Sequence, residues 1–231
     1  MRFTRTVALL GAVTVLSACD TAGTASLDTD DQKASYGIGL DMGRSLRPAA
    51  SHMDIDAFVA GVRDALEDAE PAVSREELDQ ILQEFSRKIT EEQQAERAAQ
   101  AERNQAEGEA FLAENGAREG VVTTESGLQY EVLEAGDGPR PTAADQVTIH
   151  YKGTLIDGTQ FDSSYDRGEP ATFGVSGVIQ GFAEGLQLMP VGSRYRFVIP
   201  ADLAYGAQGA GGEIGPNATL IFEIELLEIG S

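Results

Sequence analysis

Val147, Ile149 and Tyr151 alternate with Thr148, His150 and Lys152. A period of two marks a strand with one buried face. Asp157-Gly158 follows, a pair suited to the positive φ angles of a tight hairpin turn, and the chain returns through Phe161 and Asp162. A tyrosine and a phenylalanine are thus aimed inward with a carboxylate beside them. The same alternation runs through Leu128, Tyr130 and Val132, through Tyr195, Phe197 and Ile199, and through Leu220, Phe222, Ile224 and Leu226. Phe173 lies on a further strand after the polar loop 163–170. Between these strands Ile179, Phe182, Leu186 and Met189 share a helical face that Pro190 ends, so residues 178–189 read as one short helix. An antiparallel β-sheet wrapped around one short helix is an α+β architecture, here over residues 121–231.

Upstream the period changes to that of helices. Residues 33–46 carry Tyr36, Ile38, Met42 and Leu46, with Gly39 and Gly43 four apart, a spacing that lets another helix approach closely. Asp54 is placed to cap a second helix bearing Ile55, Phe58, Val59, Val62 and Leu66 on one stripe. Pro71 breaks the chain, and Ser74 with Glu77 reads as a capping box ahead of Leu78, Ile81, Leu82, Phe85 and Ile89. Beyond Ile89 the apolar stripe stops, yet no helix breaker intervenes before Gly108. An uninterrupted helix that is polar all round bridges domains through solvent. Roughly 40 residues would make a rod on the order of 60 Å. Two short helices and the first turns of a long one bury little surface by themselves. Residues 33–120 are therefore expected to form an all-α N-terminal dimerisation arm with a long connecting helix, the homodimer meeting through residues 33–90. A small monomeric helical cap is the alternative.

The first residues have a different character. Arg2 and Arg5 precede the apolar run Val7–Leu16, which is too short to span a bilayer. Residues 1–18 have the layout of an export signal. Residues 19–32 are small and polar and read as a flexible tether. Cys19 is the only cysteine, so no internal disulfide or cysteine metal cluster is available.

The chain has 17 basic and 38 acidic residues, a net charge of −21. Removing the signal takes away two basic residues and leaves 15 − 38 = −23. That field repels nucleic-acid phosphates, so no nucleic acid is expected as a partner. Neither His52 nor His150 lies in a metal-ligand spacing, and no metal or other cofactor is expected. The glycines at 209, 211, 212 and 215 do not join a strand to a helix as phosphate loops do. Asn217-Ala218-Thr219 reads as the lead-in to the last strand.

Four stretches, VTIHYKGTLIDGTQFDSS, VIQGFAEGLQLMPVG, LAYG and NATLIFEIELLEI, resemble in this order the FKBP-type peptidyl-prolyl cis-trans isomerases, from about Gly127 to Ile229. YGIGLDMG, DIDAFVAGVRDAL and AEGEAFLAENGAREGVV resemble the arm of the Mip/FkpA-like subfamily. Leu16-Ser17-Ala18-Cys19 resembles the bacterial lipoprotein box, with Cys19 as the lipidated residue. The resemblance implies an exported, membrane-anchored lipoprotein facing the periplasm, with proline-containing unfolded or partly folded polypeptides as substrates and FK506-type macrolides as inhibitors. It also implies a proline pocket in which Tyr151, Phe161, Asp162, Tyr205 and Phe222 are catalytic and Phe173, Val178, Ile179, Phe182 and Ile214 bind substrate. In particular the Ile179 N–H and the Tyr205 hydroxyl would hold substrate carbonyls. Two positions depart from the family: Phe182 stands where tryptophan is most common, and Glu213 where an apolar residue is common. A non-catalytic chaperone or binding module for unfolded exported polypeptides is the rival reading.

Overall fold

The computed structural model describes residues 26–230. They divide into two compact units between Pro71 and Ala72. The first holds helices α1 (Asp30–Leu46) and α2 (Ile55–Leu66), joined by a 3₁₀ turn at Arg47–His52. Helix α1 starts ahead of its apolar stripe because Thr29 and Gln32 form a complete capping box. The Asp54 carboxylate caps α2 by accepting from the Ala57 N–H at 2.9 Å. Neither helix has a buried residue. A Cβ built on Gly39 or Gly43 would meet nothing within 4 Å.

The second unit begins with α3 (Arg75–Gly116), 42 residues or about 63 Å long. Ser74 caps it by accepting from the Glu77 N–H at 3.3 Å, but Glu77 makes no return bond, so the expected box is only half formed. Seven strands follow: β1 (Val121–Thr123), β2 (Gln129–Glu134), β3 (Gln146–Leu155), β4 (Gln160–Ser163), β5 (Ala171–Gly174), β6 (Arg194–Ile199) and β7 (Leu220–Gly230). All pairings are antiparallel, in the order β1-β2-β6-β7-β3-β4, with β5 also on β3. A one-turn helix α4 (Ser164–Arg167) follows β4, and α5 (Gln180–Leu188) lies between β5 and β6.

The core forms between α5 and the concave face of the sheet. Val147, Ile149, Leu186, Met189, Phe197, Ile199, Leu220, Ile224 and Leu226 have no exposed surface. Helix α5 reaches the sheet through two glycines one turn apart. A Cβ on Gly181 would stand 2.4 Å from Ile199, and one on Gly185 2.7 Å from the Phe197 ring. Val132 keeps its register opposite Tyr195 but is exposed, and the bulge that follows it, between Val132 and Glu134, ends the regular pairing of β2 on β6. The β3–β4 turn also differs from the two-residue form. Only Gly158 has positive φ, and the Leu155 carbonyl accepts from the Gly158 N–H while the Leu155 N–H donates to Thr159. This is a longer loop built on a type I turn, with the glycine in the left-handed position.

Helix α3 also corrects an expectation. Its C-terminal half packs on the sheet domain instead of running through solvent. Asn115 donates to the Gln129 side chain at 2.8 Å, and Gln129 donates in turn to the Leu112 carbonyl at 2.8 Å. Gly108 lies so close to Thr219 that a Cβ would come within 2.4 Å of its hydroxyl. Polar groups and the glycines Gly108 and Gly116 anchor this contact, with Phe111 and Leu112 half-buried beside them, so the apolar share is too small to announce it as a stripe.

Candidate functional site

Strand β3 is paired with β7 along its whole length, but its other edge is shared. Strand β5 takes Gln146–Ile149 and β4 takes Lys152–Thr154. The edge therefore parts beside Tyr151. The buried Ser164, first residue of α4, closes the gap: its hydroxyl accepts from the Tyr151 N–H at 2.8 Å and faces the Tyr151 carbonyl at 3.2 Å. The Tyr151 ring turns inward, and a cavity of about 640 Å³ opens between the parted edge, α5 and the loop before β7.

Every pocket residue expected from sequence lines this cavity: Tyr151, Phe161, Asp162, Phe173, Val178, Ile179, Phe182, Tyr205, Ile214 and Phe222. Phe182 on α5 is 4% exposed and meets the ring of Phe222 edge-on at 4.9 Å and that of Tyr151 at 6.2 Å. Phe173 stands edge-on to Tyr151 at 5.7 Å, and Phe161 to Phe222 at 5.5 Å. These are favoured aromatic geometries. Gly153 makes room for them, since a Cβ there would fall 2.6 Å from Phe161 and 2.8 Å from Phe222. Glu213 lines the same cavity and brings a charge to its rim.

One polar cluster sits against the rings. The Tyr151 hydroxyl donates to the Asp162 carboxylate. Arg167 donates to the other Asp162 oxygen at 2.6 Å and to the Tyr151 hydroxyl at 2.8 Å, with its guanidinium 5.4 Å from the Tyr151 ring centre. Burial pushes the Asp162 pKa up, but hydrogen bonds from Tyr151 and Arg167, with the Arg167 charge, outweigh it and hold the group below the ordinary value. Burial first, and then the bond to Asp162, raise that of Tyr151, with Arg167 opposing. The carboxylate therefore stays charged and the phenol stays protonated across neutral pH.

Two donors face the opening. Tyr205 is 40% exposed, and its hydroxyl makes no hydrogen bond with the described residues. Ile179 precedes α5 in an extended conformation, and its N–H finds no acceptor among the described residues. An apolar bowl with two free donors at its rim can hold a small ring and the carbonyls on either side of it.

Arg167 was not among the expected residues. It lies on α4, a helix too short to show periodicity. The signals available were the Ser163 cap, whose hydroxyl accepts from the Asp166 N–H, and Gly168 in the left-handed conformation at the C-cap. His150 is outside the cavity, its ring stacked on Tyr165 at 4.7 Å and its Nδ1 3.0 Å from the Ser164 hydroxyl. No group of metal-ligating side chains occurs among the described residues. Cys19 and the export signal lie outside them.

Two family models match the chain. One describes a domain amino-terminal to FKBP-type peptidyl-prolyl isomerase, over residues 31–132, and the other FKBP-type peptidyl-prolyl cis-trans isomerase, over residues 138–227. The outer membrane protein MIP of Legionella longbeachae is 43% identical over 97% of this chain and 96% of its own length. The FKBP-type 22 kDa peptidyl-prolyl cis-trans isomerase of Escherichia coli is 49% identical, over 89% of this chain and 98% of its own. Among solved structures, FkpA from Escherichia coli superposes with a TM-score of 0.67 at 40% identity, covering 89% of this chain and 99% of that one.

Proposed function

The chain belongs to the FKBP-type peptidyl-prolyl cis-trans isomerases, and from that premise we propose that the Xaa-Pro amide of a bound polypeptide rotates in the cavity over Phe182. Rotation about the amide faces a barrier of about 18–20 kcal/mol. It breaks no covalent bond, so neither nucleophile nor cofactor is required. The rings of Tyr151, Phe161, Phe173, Phe182 and Phe222 enclose the prolyl ring, with Val178 and Ile214 beside them. The Ile179 N–H and the Tyr205 hydroxyl hold the flanking carbonyls. Planar amide resonance separates charge between oxygen and nitrogen, and twisting the bond reduces that separation. An apolar site therefore favours the twisted form over the planar one, which is differential binding of the transition state. Asp162, held charged by Arg167 and Tyr151, polarises one wall.

The observation that carries this reading is the convergence of β3, β4, β5, α5, β7 and the loop 205–214 on one cavity open to solvent. The test is the rate of cis-trans exchange in an Xaa-Pro peptide with the full mature chain. It should rise well above background, fall in Phe182→Ala and Asp162→Ala, and be inhibited by FK506-type macrolides. Exchange at the uncatalysed rate would overturn it.

The substrates in this reading are proline-containing unfolded or partly folded exported polypeptides. A homodimer through residues 33–90 is supported by helices α1 and α2, in which no side chain is fully buried among the described residues; sedimentation of the mature chain tests it. Export and lipidation at Cys19 are supported by the sequence around it and by the Legionella relative being named an outer membrane protein. Cys19→Ser should then release the protein from membranes. Among the described residues no helix is long and apolar enough to cross one. The exposed apolar side chains of α1 and α2 also favour a second role, holding unfolded chains without turnover. Aggregation suppression that survives Asp162→Ala but not loss of the arm would establish it.

A further inference from the structure

The loop between Tyr205 and β7 separates two hollows. Ala210, Gly211 and Ile214 line the prolyl cavity on one side and a groove of about 490 Å³ on the other. The far wall of that groove is α3, which presents Gln93, Glu96, Arg97, Gln100 and Arg103. Their spacing of three and four places them on one helical face. This polar stretch has the periodicity of a contact surface, written in amides and guanidiniums.

The helix is fixed at this point. Arg97 donates to the Gln208 carbonyl at 2.7 Å and Asn104 to the Pro216 carbonyl at 2.7 Å. Gly215 has no room for a Cβ because the Gln100 and Asn104 amides stand 2.8 and 2.9 Å from where it would be. Asn217, one of two non-glycine residues with positive φ among those described, donates to the Ala101 carbonyl at 3.5 Å. Charges on this face of α3 therefore keep a set position relative to the cavity. Arg103 is exposed and makes no hydrogen bond or ion pair with the described residues. Arg97 makes its bond to a neutral carbonyl and has no ion-pair partner among the described residues. Against these two cations the groove holds one carboxylate, Glu96. In a chain of net charge −21 the groove lining is therefore net cationic, while Glu213 on the intervening loop lines the prolyl cavity and not the groove.

We propose that the groove is a second substrate subsite: a polypeptide whose proline occupies the cavity crosses the Ala210–Ile214 loop and sets an acidic side chain against Arg103 and Arg97. This rests on the prolyl reading of the cavity and adds a charge preference a few residues from the proline. It gives α3 a part in substrate selection beyond connecting two parts of the chain.

The test uses the full mature chain and a panel of Xaa-Pro peptides carrying Glu, Gln or Lys at each of the second to fourth positions before and after the proline. The quantity read is the ratio of kcat/KM for Glu to that for Lys at each position. On one side of the proline the wild-type ratio should exceed one by about threefold to tenfold, the range of an exposed ion pair and its like-charge counterpart. It should shrink at high salt. Arg103→Glu should reverse the ratio at that position. Arg87→Glu changes the net charge equally but sits sixteen residues toward the helix N-terminus, paired with Glu91, and should leave the ratio as it is. A ratio that ignores Arg103→Glu, or that shifts as much in Arg87→Glu, overturns the subsite while leaving the cavity intact. Wild-type exchange at background on the Gln peptides would instead remove the prolyl reading, and the subsite with it.

Discussion

Helix α2 carries Ile55, Val59, Val62 and Leu66 and buries none of them, Leu66 being 81% exposed; strand β6 carries Tyr195, Phe197 and Ile199 and buries all three. Both segments are amphipathic, yet among the described residues one meets its apolar partner and the other does not. The sheet closes its concave face with α5, approached through Gly181 and Gly185. Helices α1 and α2 have no such cover among the described residues, and their apolar stripes stay exposed. Amphipathic period thus tells which face is sticky, while the supply of covering surface tells whether a chain is complete alone.

The sharpest way to break that comparison is to make equivalent deletions in both regions. Phe197→Ala should cost about 3–5 kcal/mol, because a fully buried ring leaves a cavity that closes poorly. Its lowered urea midpoint should not depend on protein concentration. Leu66→Ala should act only through association, so its unfolding midpoint should fall most at low concentration and converge on wild type as concentration rises. An equal loss at every concentration would show that Leu66 is covered within its own chain.

Smaller effects separate the two ends of α3. Gly185→Ala should cost about 1–3 kcal/mol by pushing α5 off the Phe197 ring. Asn115→Ala should cost a similar 1–3 kcal/mol, since it leaves the buried Gln129 amide without its donor. Ile81→Ala, near the other end of the same helix and 51% exposed, should leave the denaturation of the sheet domain unchanged. If Asn115→Ala is neutral in a urea titration, the docking of α3 contributes nothing and the helix is only a spacer.

What was legible follows from this contrast. The strand holding Val147, Ile149 and Tyr151 could be read because burial on one side of a pleated chain imposes a period of two. The helix of Phe182 and Leu186 could be read because it covers that face. Arg167 could not, since one turn of helix has no period and its charge is spent on partners sixteen and five residues away in sequence. The docking of α3 was illegible for another reason: Asn115, Asn104 and Arg97 anchor it with hydrogen bonds, and Phe111 and Leu112, half-buried beside them, are too few to make a stripe. The dipeptide Asp157-Gly158 fits both the two-residue turn and the longer loop, and only the backbone angles distinguish them.

The cluster around Tyr151 allows a further cut. Arg167→Gln should lower kcat/KM for a neutral peptide about tenfold, the cost of one charge-assisted bond. It should hardly move the denaturation midpoint, since the Arg167 side chain is nearly half exposed. Gly153→Ala should narrow the same wall by displacing Phe161 and Phe222, raising KM more than it lowers kcat.

The smallest expected effect is that of pH near neutrality. Burial pushes the Asp162 pKa up, and the bonds from Tyr151 and Arg167 hold it below its ordinary value despite that. What the carboxylate contributes is therefore complete above its unfolded value, about 3.9, and is lost as pH falls through the lower folded one. Burial and Asp162 raise the Tyr151 pKa, so its contribution is complete below about 10 and is lost as pH rises through the higher folded value. The two windows lie on either side of neutrality, and no histidine lines the cavity. kcat/KM measured from about pH 6 to 8 should accordingly stay within about twofold, where a catalytic imidazole would give a step near 6.5. Such a step in wild type would show that turnover depends on a group other than Asp162 and Tyr151, and the flat profile expected of this cavity would be wrong.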